Sequence, residues 1–478
     1  MKKEFYLNIT LLILINLLIK PLYLFGIDAE VQNQVGNSDY GTYFALFNFL
    51  YIFHWVLDPG IQNYNTQAIS KDRDSLQLRL GYTLASKCLA AILFVGIAGL
   101  LSMLFFGQEY WQEIILVAAS MIALSFIVYF RTHFSAIGQY YTDSLLSSLD
   151  KLLLILSLGY LLYLSEIEMS ITLFIQVQFI SLIVTLLIVG LLFIRRFGGI
   201  RLNFDVSQIK GLLRNSFPFA IVFILMSLYS RMDGIMLKSL VDDQAVSAGI
   251  FAAGFRVYDA MSMIGMLFAS LLLPMFANVL SDKEKLSELY ESALRLLLIV
   301  STLLGIIAYL YSEEVMYAIY TAASQSHVEV FQWLTISYYL VALTYVFGTL
   351  ITASGKLKKL NWLFVLGIPI NFSLNCWLIP DLQAVGAGIA TCITQAVILI
   401  GQIVLVYRQF HFKVNSNLIL HYSLLFGVIF ATSLMIHYSL SWHFILEVGL
   451  ISIIGVVYIL GSRFLRLDFI LGARSDAP

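Results

Sequence analysis

The sequence predicts an all-α integral membrane protein of about fourteen transmembrane helices, and three observations carry that expectation. The first is composition: 60% of the 478 residues are hydrophobic and 12% are charged. Soluble domains carry roughly a quarter charged residues, so a soluble chain this apolar could not cover its surface, and the excess must face lipid. The second is the length of the apolar runs, each near the 20 or so residues a helix needs to cross a bilayer. The third is a strict alternation of charge between successive loops.

The apolar runs lie near 7–27, 41–57, 81–106, 112–130, 143–164, 170–194 and 216–238, then 247–273, 289–311, 330–353, 360–379, 384–407, 417–437 and 442–462. The first follows Met1-Lys-Lys-Glu4. It is too long for a signal-peptide core, has no small-residue cleavage site after it, and is expected to be a retained span. Short cytoplasmic loops collect Lys and Arg. One set of alternate loops holds Lys71, Arg131, Arg195, Arg196, Lys283, Lys356, Arg408 and Arg463. The other holds Asp28, Glu30, Asp39, Glu109, Glu113, Asp242, Asp243, Glu313 and Glu314, with Lys238 as an interfacial exception. An even span count follows, with both termini cytoplasmic.

The long basic connector from Arg195 to Asn215 divides the chain into an N-lobe, 1–200 (spans 1–6), and a C-lobe, 201–408 (spans 7–12). Two extra spans occupy 409–478. The halves look related. Span 4 ends in Ala136-Ile-Gly138 and span 10 in Ala353-Ser-Gly355. Span 2 opens on Tyr40-Gly41 and span 8 on Ala248-Gly249. Six spans per half give both repeats one orientation, the parallel type related by an axis along the membrane normal.

Several charges break the pattern. A charged side chain at mid-membrane costs about 2.5–3.5 kcal/mol, so such residues usually face protein or water. Lys20 sits on span 1 with Asn16 one turn earlier, and Pro21 is expected to kink the helix there. Arg231 sits at matching depth on span 7, one turn after Ser227. Together Lys20 and Arg231 read as an anion site in a central cavity; the other readings are snorkelling to outer headgroups and an ion pair of Arg231 with Asp233. Arg256 and Asp259, three apart on span 8, read equally as a structural pair or a substrate site. Lys87 is expected to snorkel from span 3 toward the cytoplasm. Lys151 adjoins Asp150 on span 5; neighbours at i and i+1 do not face each other, so the pair need not neutralise, and Lys151 is a candidate cavity residue. Asp58, Asp233, Asp259 and Glu447 are candidate coupling-ion residues because they are ionisable and near the membrane. Asn371 and Asn375 read as interhelical glue.

Other chemistries find little footing. Cys88, Cys376 and Cys392 lie in apolar runs without metal-ligand or disulfide spacing, the seven histidines form no ligand cluster, and no catalytic or nucleotide-binding motif is present. The sequence therefore predicts no enzyme, no metal, no cofactor and no nucleic-acid partner.

Against that background the chain resembles a known family. Asn33-Gln-Val-Gly36 with Tyr40-Gly41-Thr-Tyr43, Leu57-Asp58-Pro-Gly60, the two Ala-x-Gly exits, and Asp233 followed by Gly249-Ile-Phe251 are similar in order to the multidrug/oligosaccharidyl-lipid/polysaccharide (MOP) exporter superfamily. Within it the chain looks like the Wzx-type oligosaccharide flippases of bacterial polysaccharide pathways. Each motif is short, and the resemblance rests on their order over nearly the whole chain. It implies two six-helix lobes around a cavity that opens alternately to each side. It also implies export of a polyprenyl-diphosphate-linked oligosaccharide across the bacterial inner membrane for surface polysaccharide such as O-antigen, with a polymerase and assembly proteins as partners. A drug or cation antiporter of the same fold should have an acid-dominated cavity. A membrane polymerase or ligase should have sizeable basic or catalytic outer loops; the outer loops here are short and acidic.

Overall fold

The computed structural model describes residues 18–71, 75–199, 202–412, 416–439 and 444–461. Among these, every regular element is a helix. Eight helices are long and apolar enough to cross a membrane, and the chain is a multi-pass helical membrane protein. It divides into two compact units, Met1–Gly249 and Ile250–Pro478.

In the first unit, a helix from residue 18 passes Pro21 and becomes a π-helical turn, Leu24–Asp28. Helix α1, Ala29–Ile52, follows directly and is broken at Gly36, whose φ of +84° suits a residue without Cβ. Asp28, counted among outer-loop acids by sequence, is instead 8% exposed, and Tyr40 donates to its carboxylate at 3.1 Å. Next, α2 (Ser75–Phe94) extends through a π turn at Val95–Gly99 to Phe106. It is followed by α3 (Trp111–Ala136), α4 (Leu149–Tyr163) and α5 (Ile171–Phe197). Last comes α6, Val206–Leu240, started by Asp205, whose side chain accepts the Ser207 and Gln208 N–H groups. Aliphatic and aromatic side chains of α2, α3 and α5, among them Leu80, Ile127, Phe134, Val189 and Phe193, form one core.

The second unit contains α7 (Val246–Val279), which begins in the first unit, then α8 (Lys283–Leu310) and α9 (Gln325–Ala353). Helix α10, Leu357–Phe410, has 54 residues. At 1.5 Å per residue it reaches about 80 Å, far more than one crossing of a hydrocarbon core of about 30 Å. Its break at Gln383, φ 51°, falls between the two runs expected as spans 11 and 12. Helices α11 (Ser416–Ser439) and α12 (Phe444–Gly461) follow.

The repeat motifs acquire geometry. Both α3 and α9 end on alanine. Two residues on, Gly138 (φ +89°) and Gly355 (φ +74°) turn the chain, and their N–H groups donate at 3.0 Å to Ser135 and Thr352 carbonyls. The two span-opening glycines meet each other: a Cβ on Gly41 would collide with the Ala245 carbonyl and the Gly249 amide, and one on Gly249 with the Asn37 carbonyl. Gln32 donates to the Gly249 carbonyl at 2.9 Å beside this crossing.

Candidate functional site

Helix α1 is not among the eight helices long and apolar enough to cross a membrane; Asn33, Asn37, Asp39, Thr42 and Asn48 interrupt its hydrophobic residues. A ladder of rings at helical spacing runs along one of its faces and past its end: Tyr40, Tyr43, Phe47 and Tyr51, then His54 just beyond α1, each within 5.5–6.1 Å of the next. Helix α6 packs against α1, and Gly234 makes that possible; a Cβ there would lie 2.6 Å from the Phe44 ring and 2.8 Å from Asn48 Nδ2.

Arg231 reaches from α6 onto this face. Its guanidinium sits 4.8 Å from the centroid of Tyr51 and an Nη donates to Asn48 Oδ1 at 3.4 Å. A guanidinium close to a ring is held by cation–π attraction. The residue is half-buried, so the charge is desolvated on one side and reachable on the other. Asp233, two residues on, is 3% exposed.

Lys20 is half-buried on the helix that precedes α1, whereas its expected companion Asn16 lies outside the described residues. Tyr23, three residues on and on the same helical face, carries the Lys151 ammonium 4.6 Å from its ring centroid. Lys151 thus lies against the helix that carries Lys20. The expectation that Lys151 need not be neutralised by its neighbour is corrected: Lys151 Nζ lies 3.4 Å from Asp150 Oδ2. Both residues belong to the first turn of α4, where the four-carbon lysine stem can bend back to its neighbour.

Lys87 is the larger correction. It does not snorkel; it is 1% exposed. Its ammonium donates to the Leu57 carbonyl at 3.0 Å and to Ser125 Oγ at 2.5 Å, and lies 3.9 Å from Asp58. Asp58 is an N-cap. After the break at Pro59-Gly60 its carboxylate accepts the Gln62 N–H at 3.2 Å, starting the helix Ile61–Lys71, while the Gly60 N–H donates to the Asp58 carbonyl at 2.7 Å. A helix end and a lysine therefore share one carboxylate. Neighbouring polar atoms extend this interior network, with Asn65 bonded to His133 at 3.1 Å and Thr83 to Tyr129 at 2.6 Å.

Other sequence-predicted residues fall elsewhere. Arg256 on α7 is 5% exposed and donates to the Tyr320 hydroxyl, while Asp259 is exposed. Glu447 is 4% exposed and accepts the Tyr311 hydroxyl at 2.8 Å. Asn375 donates to Asn371 at 3.0 Å, both buried on α10. Asn48 and Tyr51, which hold Arg231, were not singled out by sequence; the 3–4 spacing of rings along α1 was the available signal.

This architecture is similar to that of several solved membrane transporters. The structure matches that of lipid II flippase MurJ in an inward closed conformation with a TM-score of 0.75 and 13% identity, over 96% of this chain and 100% of that one. A MOP-superfamily transporter from Pyrococcus furiosus matches at 0.64 and 14% identity, over 85% and 95%. An outward-facing multidrug resistance MATE family transporter matches at 0.57 and 16% identity, over 85% and 95%. At these identities the likeness is one of fold. No curated protein matches the sequence. Residues 6–280, more than half of the chain, match the family model described as polysaccharide biosynthesis protein, and the chain belongs to that family.

Proposed function

We propose that this protein is a flippase that carries a polyprenyl-diphosphate-linked oligosaccharide across the bacterial inner membrane by alternating access, for surface polysaccharide assembly. The observation that carries this reading is Arg231, half-buried on α6, with its guanidinium over the Tyr51 ring and bonded to Asn48. A diphosphate entering a membrane must have its charge compensated, and an arginine binds phosphate oxygens through paired N–H groups in a fixed plane. Lys20, half-buried on the helix before α1, supplies a further point charge for the same anion. The sugar chain stays in a wet lumen and the lipid tail in the bilayer. Membership of a polysaccharide biosynthesis family and the likeness in fold to a lipid II flippase support the same class of substrate.

In this reading the chain crosses the membrane fourteen times with both termini cytoplasmic, and it hands its product to a polymerase and assembly proteins outside. Among the four acids considered for ion coupling, we place the role at Asp233, buried on α6 two residues from Arg231.

The test is surface polysaccharide in cells carrying Lys20→Gln, Arg231→Gln or both, with membrane levels of the protein measured in parallel. Loss of surface polysaccharide at normal protein level is expected. Export retained in the double variant would sink the reading.

A further inference from the structure

Outward along α1 and α6 from Arg231 lies a second feature. A cavity of about 450 Å³ opens in the first unit, at the end that the loop charges assign to the extracytoplasmic side. Its volume falls within the roughly 300–1,000 Å³ typical of small-molecule sites. Asp39, Thr42, Tyr43, Tyr110, Glu113 and Lys238 contribute to its wall.

These groups are held in place by partners behind them. Thr172 donates to Glu113 at 2.6 Å, and Tyr110 is hydrogen-bonded to Thr42. The Tyr43 hydroxyl donates to Gln178 at 3.2 Å while its ring stands edge-on to Phe174 at 5.3 Å. The Lys238 ammonium lies over the Phe106 and Tyr110 rings at 5.8 and 5.5 Å, with Glu109 and Asp243 close enough to act on its charge. Asp39 is exposed at the mouth.

The lining selects a ligand by charge and polarity. Two carboxylates and one ammonium leave the wall with a net negative charge, so a diphosphate is repelled. An apolar chain would strand the hydroxyls and carboxylates without water. A neutral ring rich in hydroxyls satisfies both demands: its O–H groups donate to Asp39 and Glu113, and its C–H faces pack on tyrosine rings. We propose that this cavity is a saccharide-binding site that receives a sugar of the substrate while the diphosphate is held at Arg231. The inference rests on the flippase reading for that second half. Lys238 follows Arg231 by seven residues, two helical turns, or about 10 Å along α6. The ring ladder of α1 joins the two places, Tyr43 lining the cavity and Tyr51 bearing Arg231. A sugar joined to the phosphate is thus led into the cavity.

The experiment uses the full chain in lipid nanodiscs with two free, phosphate-less probes, N,N′-diacetylchitobiose and lactose. Binding is read by saturation-transfer NMR. At least one probe should receive saturation on its ring protons. The signal should fall at least fivefold in Asp39→Asn/Glu113→Gln and fall measurably in Asp39→Asn alone, an exposed isosteric change that leaves folding intact. It should persist in Arg231→Gln. No transfer to either probe, or transfer unchanged in both acid variants, overturns the proposal. So does loss of tetraphenylphosphonium binding, in place of sugar binding, on neutralising the acids, which would mark a cation site. Sugar binding that depends on Asp39 supports the cavity even if export survives Lys20→Gln/Arg231→Gln, an outcome that would remove the flippase reading alone. Conversely, absent sugar binding with export still dependent on Arg231 removes only the cavity assignment.

Discussion

Lys87 and Arg231 are both long cations on helices of the first unit, and they are used in opposite ways. Lys87 is 1% exposed and meets a carbonyl, a hydroxyl and a carboxylate at fixed positions. An ammonium has three donors, and three acceptors surround this one. Arg231 is half-buried, lies on a ring and reaches Asn48 at the long distance of 3.4 Å. The difference teaches how to sort charges in a membrane interior. A cation enclosed by protein acceptors holds helices together; one half-buried over an aromatic ring is placed to meet a ligand. Arg256, enclosed and bonded to Tyr320, sorts with Lys87.

The largest effect should come from breaking the enclosed pair. Lys87→Met strands the Asp58 charge in a buried site, at a cost of about 3–5 kcal/mol. Thermal unfolding of the detergent-solubilised protein should show a clear loss of stability, whereas Arg231→Gln should cost less than about 1 kcal/mol, as substitutions outside enclosed networks do. Equal losses in the two variants would erase the distinction drawn here. Removing both charges in Lys87→Met/Asp58→Asn should recover most of the lost stability, because replacing a buried pair is often close to neutral. Should the double variant remain as unstable as Lys87→Met, the pair is not the cause.

Tyr51 sharpens the other side of the comparison. A cation over a ring contributes about 0.5–2 kcal/mol, so Tyr51→Leu should weaken export about 2- to 30-fold, with thermal stability nearly unchanged. Tyr51→Phe keeps the ring and should export at close to the normal rate. A Phe variant as defective as Leu would show that the hydroxyl, not the ring face, supports Arg231. The smallest effect belongs to Glu447→Gln. An amide still accepts from Tyr311, and the loss of a charge-assisted bond should lower stability by about 1 kcal/mol without changing export. An export defect at normal stability would return Glu447 to the coupling candidates.

The sequence alone determined the helical membrane class, because lipid imposes long apolar runs and loop charge reports sidedness. Helix ends were legible for the same local reason: Ala136-Ile-Gly138 and Ala353-Ser-Gly355 both end helices with a left-handed glycine. Arg231 was legible as a charge out of place. Its partners were not, since Asn48 is 183 residues away in the chain and only helix packing brings it near. The fate of Lys87 was equally hidden. Depth along a helix suggested snorkelling, but the direction of a side chain depends on which helices surround it. Its acceptors come from Leu57 and Asp58 on one other segment and Ser125 on a second. The chain order thus set which residues carry charge and roughly how deep they lie. Tertiary packing decided which of those charges are enclosed and which remain within reach of a substrate, because desolvation and hydrogen-bond partners come from helices far apart in sequence.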